Sequence, residues 1–328
     1  MKICLTGNSG GHLNQLLQLK FLFSDTHFKC FFITDKNSFS EEISKHNTVY
    51  FVEKFVFKEV IKKRQFFKPF KNLFQSLFIF LKERPDIVIT TGAGSSFGAW
   101  VWGKLMSKTI FIESIARTNE PSTFGKIFGS KSDVVFVQWK NMLKHYTNAI
   151  YGGLIFNFQD ITLSREKKIN NIFITVGTYK LQFDRLLEEM DRLIEAKIIK
   201  SNVIAQVGAS TYVPKNYPVF DYCGQEKLHQ MISQSDLVIC QGGSGSIMDS
   251  LLRGKRVIAI PRLPEFNEFF DDHQIQLISE LEKLGLIMAV YNIKDLSDAI
   301  QRSLLFTPNF EDMTQAKYYE YLNQQLKK

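Results

Sequence analysis

The segment from Ile239 to Ser246 constrains the fold of this chain more than any other. An apolar run at 236–240 ends in Gln241-Gly242-Gly243-Ser244-Gly245-Ser246. A helical pattern then carries the chain through Asp249 to a second apolar run at 256–260. Strand, small-residue turn, helix and strand make a βαβ unit, whose crossover sets the two strands parallel. A turn without bulky side chains at a helix start turns backbone N–H groups toward an anion, with roughly half a positive charge at the helix end. Beyond the second strand stand Pro261-Arg262 and Asp271-Asp272-His273-Gln274. Such hydrogen-bonding groups suit the ribose and sugar of a substituted nucleoside diphosphate.

The same alternation runs through the rest of the chain. Strands are expected at 2–6, 28–34, 48–52, 86–90, 109–113 and 134–137, with helical patterns between them, as at 13–22 and 96–106. A polar stretch at 157–171 reads as a linker. The pattern then restarts with strands at 171–176, 203–207 and 219–223, helices at 183–195 and 225–234, and a last helix at 311–326. Regular alternation argues for an α/β fold with doubly wound parallel sheets. A length of 328 residues suits two domains of roughly 150 each. The expected domains are 1–158 and 159–328, with a ligand cleft between them.

Composition narrows the class. Hydrophobic residues at 45% and charged residues at 23% allow a sizeable core and exclude global disorder. A formal net charge of +8 favours an anionic partner. Cys4, Cys30 and Cys240 lie in apolar runs, Cys223 lies by a turn, and no CxxC occurs, which fits reduced thiols in a cytosolic protein. No signal peptide is expected, since an apolar strand pattern opens the sequence, and no apolar run reaches the ~18–20 residues of a membrane span. The chain is therefore expected to lie on a membrane without crossing it. No DxD triplet and no metal-ligand spacing occurs, so a departing diphosphate is expected to rely on helix dipoles and basic side chains, without a metal.

Other motifs fall at strand ends. Gly7-Asn8-Ser9-Gly10-Gly11-His12 opens the first helix, where glycines admit a ligand and His12 can donate to a phosphate or act as a base. Its spacing is not the GxGxxG dinucleotide fingerprint, and Thr34-Asp35 lends little to an NAD ribose contact. Thr91-Gly92-Ala93-Gly94-Ser95-Ser96 is a further small-residue turn. Glu113 ends a strand four residues before Arg117; the two are either a base with a phosphate-binding arginine or a structural pair. Between 54 and 84, Lys58, Lys62, Lys63, Arg64, Lys68, Lys71 and Lys82 interleave with Phe55, Phe57, Phe66, Phe67, Phe70, Phe74, Phe78 and Phe80. This segment reads as a membrane-surface element or as an ordinary core-packing helix. Aromatic and basic residues also suit single-stranded nucleic acid, but no nucleic-acid module is visible and none is expected to bind.

Taken in order, these residues resemble a fused form of a two-component bacterial exopolysaccharide glycosyltransferase, PssD-like in its first half and PssE-like in its second. They are similar to the dolichol-pathway UDP-GlcNAc transferase pair and, more distantly, to MurG and glycosyltransferase family 28. The first half carries Ser9-Gly10-Gly11-His12, Thr91-Gly92-Ala93-Gly94, Ile112-Glu113-Ser114, Arg117 and Tyr151-Gly152-Gly153. The second carries Thr175-Val176-Gly177-Thr178, Gln206-Val207-Gly208, residues 242–246, Pro261-Arg262 and Asp272-His273-Gln274. The resemblance implies a GT-B fold, with the acceptor on the first domain and a UDP-sugar on the second. It implies inverting, metal-independent transfer, with no cofactor, to a polyprenyl-diphosphate-linked saccharide through a β-1,4 linkage. The implied setting is surface polysaccharide synthesis on the inner face of the plasma membrane.

By the same resemblance Glu113 and His12 are candidate bases. Gly177, Thr178, Gln206, Gly208, Gln241, Gly242, Gly243, Ser244, Gly245, Ser246, Asp249, Arg262, Asp272, His273 and Gln274 are expected on the donor side. Ser9, Gly10, Gly11, Gly92, Gly94 and Arg117 are expected on the acceptor side. Lys62, Lys63, Arg64, Phe66, Phe67, Lys68 and Phe70 are expected at an anionic membrane surface. Gln241 departs from the pattern, since these families carry a histidine or arginine there. Two other readings remain open: a non-hydrolysing UDP-sugar epimerase and a catalytically silent UDP-sugar-binding subunit.

Overall fold

A computed structural model describes residues 1–21, 28–61, 65–158, 161–163 and 168–310, together with Tyr318, Glu320, Tyr321 and Gln324. Two compact units emerge: Met1–Asn157 with Thr314–Lys328, and Phe158–Met313. Part of the expected linker and most of the expected helix at 311–326 lie outside the described residues. The closing segment groups with the first unit, although the sequence reading assigned it to the second domain. Tyr318 anchors it there, 1% exposed, donating to the Gly153 carbonyl at 2.8 Å. A Cβ on Gly152 would lie 2.3 Å from the Tyr318 ring, so only glycine admits this contact.

The first unit holds strands β1 (Lys2–Gly7), β2 (Lys29–Thr34), β3 (Val49–Phe51), β4 (Ile87–Gly92), β5 (Lys108–Ile112), β6 (Val134–Val137) and β7 (Ile150–Tyr151). Its helices are α1 (Gly11–Phe21), α2 (Ser38–Ser44), α3 (Phe57–Ile61), α4 (Lys68–Glu83), α5 (Phe97–Met106) and α6 (Thr123–Phe128). The second unit holds β8 (Asn171–Thr175), β9 (Asn202–Gln206), β10 (Val219–Phe220), β11 (Leu237–Gln241), β12 (Arg256–Ile260) and β13 (Met288–Ala289). Its helices are α7 (Asp184–Glu195), α8 (Gln225–Gln234), α9 (Ser244–Leu251), α10 (His273–Lys283) and α11 (Leu296–Arg302). The short strands β7 and β13 and the helices α10 and α11 were not expected. Two-residue strands carry no readable alternation, and residues 272–274, expected only as hydrogen-bonding groups beyond a strand, stand at the start of a helix.

Among the described residues the sheet orders are β3-β2-β1-β4-β5-β6-β7 and β10-β9-β8-β11-β12-β13. Every pairing is parallel. Both units thus reverse their winding direction once, between β1 and β4 and between β8 and β11. Parallel strands covered on both faces read as unbroken apolar runs, and β4 and β12 are buried along their whole length. Helix α7 adds the complementary 3.6-residue pattern, burying Leu186, Leu187, Met190 and Leu193 against the second core. Open parallel sheets bind ligands beyond the strand carboxyl ends where winding reverses. That rule selects the loops after β1 and β4 in one unit, and after β8 and β11 in the other.

Candidate functional site

In the second unit the loop after β11 is closed by its own first residue. The Gly243 N–H donates to the Gln241 carbonyl at 2.8 Å. The Gln241 side chain then folds back over the turn. A Cβ on Gly243 would lie 2.1 Å from Gln241 Nε2, and one on Gly177, whose φ is +74°, would lie 3.0 Å away. Glycine at both positions makes room for this amide. Gln241 Oε1 accepts from Gln274 Nε2 at 2.7 Å, and Gln274 Oε1 accepts from the Arg262 N–H at 2.9 Å. Ser244, Gly245 and Ser246 open α9 and are partly exposed, so their N–H ends are accessible to an anion.

The remaining donor-side residues divide. Thr178 is exposed beside Gly177, and Asp272 is exposed at the start of α10. His273 Nδ1 stands 3.3 Å from Asp271. Gln206 is 2% exposed and accepts from Thr175 Oγ1 at 2.6 Å, which fixes the loop from below. Gly208 turns with φ +53° close against the Gly177 carbonyl. Asp249 lies in α9 with its carboxylate toward α8, 3.4 Å from Gln225 Nε2 and 3.8 Å from His229 Nε2.

Arg262 corrects its expectation. Its side chain is 0% exposed, so it presents nothing to a ligand. The guanidinium donates to the carbonyls of Val176 at 2.7 Å, Leu181 at 2.9 Å, Gln182 at 2.7 Å and Glu268 at 3.4 Å, and stacks over Phe183 at 4.9 Å. Burial pulls its pKa down to about 10, against the favourable charge of Glu268. Arg185 pairs with the buried Glu268 carboxylate at 2.7 Å. Together these groups tie the loop after β8 to the segment after β12. Glu268 was missed, and Arg185, part of a Phe183-Asp184-Arg185-Leu186 run that also carries the resemblance, had no role assigned, because a charged pair separated by 83 residues leaves no local pattern.

In the first unit the loops after β1, β2 and β4 are knitted by one carboxylate. Asp35, 5% exposed, accepts from the Ser9 N–H at 2.8 Å, from Ser95 Oγ at 3.2 Å and from Lys54 Nζ at 3.1 Å. Burial works to raise its pKa, but the Ser9 bonds and the Lys54 charge outweigh this and hold it below the usual carboxylate value. Asn8 Oδ1 accepts from the Ser95 N–H at 3.0 Å. Asp35 is thus a loop clamp rather than a ribose contact. Gly10, with φ +93° and open space around its Cα, and the exposed Gly11 lead into α1. His12 Nδ1 stands 3.2 Å from Thr91 Oγ1, joining the two loops at the switch point. In the tautomer whose Nδ1 donates there, Nε2 is the acceptor. Burial lowers the His12 pKa to about 4, helped by the charges of Arg117 and Lys54. The ring is therefore neutral at physiological pH.

Glu113, Gly92 and Gly94 also differ from expectation. The Glu113 carboxylate is 1% exposed and accepts from the Ser114 N–H at 2.9 Å, the Ser122 N–H at 3.0 Å and the Tyr146 hydroxyl. Burial pushes its pKa up, although these bonds oppose the shift. It holds the 114–122 loop and the start of α6, with no surface for an acceptor hydroxyl. Gly94 is buried, and a Cβ there would lie 1.9 Å from the Phe55 carbonyl oxygen. Gly92 turns with φ +89° against the Phe124 ring. Both are packing glycines. Arg117, partly exposed, stays close enough for its charge to act on His12.

The basic aromatic segment splits in two. Phe55, 2% exposed, and Phe57 join an aromatic cluster with Phe97, Phe124 and Phe128. In α4, by contrast, the buried face joins polar Asn72 and Ser76 to apolar Ile79 and Phe80. Asn72 and Ser76 are 0% exposed; Asn72 accepts from the Gly98 N–H at 2.8 Å and donates to the Glu53 carbonyl at 2.8 Å. The outer face carries Phe67 at 80% exposure, Phe70 at 52%, Phe74 at 59%, Phe78 at 71% and Leu81 at 56%. Phe66 is half exposed beside them, and Lys68 and Lys71 flank the stripe, both paired with Glu53. Lys62, Lys63 and Arg64 lie outside the described residues. No helix among the described residues is long and apolar enough to cross a membrane.

Residues 3–155 match the family described as oligosaccharide biosynthesis protein Alg14 like. Residues 171–326 match the glycosyltransferase family 28 C-terminal domain. The chain joins an Alg14-like half to a family 28 half. The family 28 half is similar to the UDP-N-acetylglucosamine transferase subunit ALG13 of Mus musculus, 30% identical over 122 residues, covering 34% of this chain and 10% of that protein. This chain therefore spans about a tenth of that relative. The Alg14-like half is similar to the subunit ALG14 of Mus musculus, 25% identical over 180 residues, covering 47% of this chain and 83% of that one. Both halves together are similar to the UDP-N-acetylglucosamine–N-acetylmuramyl-(pentapeptide) pyrophosphoryl-undecaprenol N-acetylglucosamine transferase of Clostridioides difficile, 27% identical over 327 residues, covering 88% and 77%. Among solved structures, Acinetobacter baumannii MurG superposes with a TM-score of 0.63 at 14% identity, covering 98% and 99% of the two chains. The UDP-GlcNAc 2-epimerase of Methanocaldococcus jannaschii superposes with a TM-score of 0.67 at 16% identity, covering 100% and 99%. At such identities the likeness gives the fold, which is GT-B, and not the reaction.

Proposed function

We propose that this chain transfers a sugar from a UDP-sugar to a polyprenyl-diphosphate-linked saccharide, with inversion and without a metal, during the assembly of a surface polysaccharide. The observation that carries the reading is the pairing, on one chain, of an Alg14-like half with a family 28 half. The second unit holds the donor, its diphosphate against the N–H ends of Ser244, Gly245 and Ser246. The first unit holds the acceptor near Gly10 and Gly11. His12, neutral and with Nε2 accepting, takes the proton of the attacking hydroxyl. The hydroxyl oxygen bonds to the anomeric carbon as the bond to UDP breaks, and the α9 start stabilises the charge that develops on UDP.

The apolar outer face of α4, flanked by Lys68 and Lys71, supports peripheral docking on the inner face of the plasma membrane, where the lipid-linked acceptor resides. The test is UDP release from a panel of UDP-sugars with a lipid-linked or aryl-glycoside acceptor, with and without chelator. Release that survives chelation is expected; a strict requirement for a divalent ion rules out the metal-free step. A second reading, a UDP-sugar epimerase, draws on the fold likeness to the Methanocaldococcus jannaschii enzyme. Acceptor-independent appearance of an epimerised UDP-sugar in the same assay selects it.

A further inference from the structure

The amide of Gln241 has a defined orientation, set by a chain of contacts that begins in the core. The guanidinium of Arg262 is held by backbone carbonyls on two segments, which fixes its own main chain. Its N–H can only donate, so the group it meets at 2.9 Å is the oxygen of the Gln274 amide. Gln274 must then point its nitrogen the other way, and it does so toward Gln241 Oε1 at 2.7 Å. Gln241 in turn directs Nε2 over Gly243 and Gly177. Gln274 is 7% exposed and has used its oxygen and one N–H inside the protein. Gln241 is partly exposed, and its Nε2 donates to no group among the described residues.

We propose that Gln241 is the ligand-facing side-chain donor of this loop, giving an uncharged hydrogen bond to a nucleoside diphosphate, and that Gln274 is a positioning residue that aims it. This rests on the donor reading of the second unit. It changes the role the resemblance implies for Gln274, that of meeting the donor sugar, and keeps Gln241 on the donor side without the charged or titratable side chain that the families carry there. A glutamine works here because the relay settles which end of its amide faces the anion. Without that relay the amide turns over freely and would offer its oxygen as readily as its nitrogen. The neutral donor also makes this contact independent of pH where a histidine, with an ordinary pKa near 6.5, would titrate.

The test uses the full chain, UDP as the probe, and isothermal titration calorimetry. Q241M keeps the side-chain length and removes both N–H donors together with the oxygen that accepts from Gln274. It should weaken UDP binding roughly ten- to hundredfold, the range for a hydrogen bond to a charged group, while its ligand-free melting temperature falls by only a few degrees as Gln274 loses one acceptor. Q274A should weaken binding in the parent background and add little in the Q241M background, because it acts through Gln241. Q241H gives an independent arm: its affinity relative to the parent should fall several-fold from pH 5.5 to pH 8, and the ratio cancels the ionisation of UDP itself. Binding by Q241M within about twofold of the parent, additive losses in the double variant, or a flat Q241H ratio overturns the assignment. A parent chain that binds no UDP overturns the donor reading as well, so the two failures are distinguishable.

Discussion

Replacing Arg262 separates a ligand contact from a structural anchor. The guanidinium makes three bonds of 2.7–2.9 Å to the carbonyls of Val176, Leu181 and Gln182, and none of its surface is exposed. R262M keeps an unbranched chain over Phe183 but leaves those carbonyls without a donor. Each buried carbonyl left unpaired costs about 1–3 kcal/mol, and removing one member of a buried charged network costs about 3–5 kcal/mol in all. The Glu268 carboxylate keeps Arg185 at 2.7 Å, so no isolated negative charge adds to the loss. For a unit of this size about 2–4 °C follows each kcal/mol, so the second unit should melt roughly 10 °C lower. R262K should fall between, since an ammonium on a flexible stem cannot reach all three carbonyls. The assay is thermal unfolding by circular dichroism, with UDP titration at a temperature where the variant is folded. A melting temperature within about 2 °C of the parent, together with UDP affinity reduced more than tenfold, would refute the structural account and return Arg262 to the donor site.

Further outcomes follow from the same geometry. Because the folded pKa of His12 lies near 4, below its ordinary 6.5, the neutral base and the stability it carries persist above pH 6.5 and are lost as pH falls through about 4. The acid limb of the transfer rate should therefore bend near pH 4, and a bend near 6.5 contradicts the burial of the ring. E113Q should destabilise the first unit by about 2–4 kcal/mol, because both carboxylate oxygens accept and an amide must turn its N–H either toward the Ser114 N–H or toward the Ser122 and Tyr146 donors; retained stability with abolished turnover restores Glu113 as the base. G94A drives a Cβ into the Phe55 backbone and should cost about 2 kcal/mol or more, whereas G243A meets only the terminal amide of the Gln241 side chain, which can be displaced at the cost of its contact with Gln274, and should lower UDP affinity with little change in melting. Changing Phe67, Phe70, Phe74 and Phe78 together to serine should abolish flotation with anionic vesicles without lowering stability, since these rings are more than half exposed. Unchanged flotation removes α4 from the membrane reading.

Most of the strands were legible because parallel sheets covered on both faces leave unbroken apolar runs with small-residue turns after them, as at 236–243 and 86–92. The individual residues of the site were less so, for a reason visible in three of them. Arg262, Glu113 and Asp35 are charged residues just past the ends of strands, the places where ligands bind in such sheets, and each is buried beneath the loop instead. A sequence gives the address of a polar side chain in the fold but not whether it points out of the loop or back under it. That choice depends on partners such as Tyr146, Glu268 and Ser9, some of them distant along the chain. Helix α4 poses the same problem in reverse: its periodicity shows an apolar stripe and a polar stripe, and the ordinary expectation buries the apolar one. The deciding residue is Gly98 on the neighbouring helix, since a Cβ there would lie 2.7 Å from Asn72 Oδ1 and 2.6 Å from Ser76 Oγ. With that space open, Asn72 and Ser76 close on α5 through the Asn72 bonds while Ile79 and Phe80 enter the core, and Phe70, Phe74 and Phe78 face outward. A G98A variant should therefore push α4 off its seat and destabilise the first unit by about 1–3 kcal/mol, an overpacking cost that denaturant titration can measure. Wild-type stability in G98A would mean that the polar face of α4 is not what holds it, and that the outward phenylalanines need another explanation.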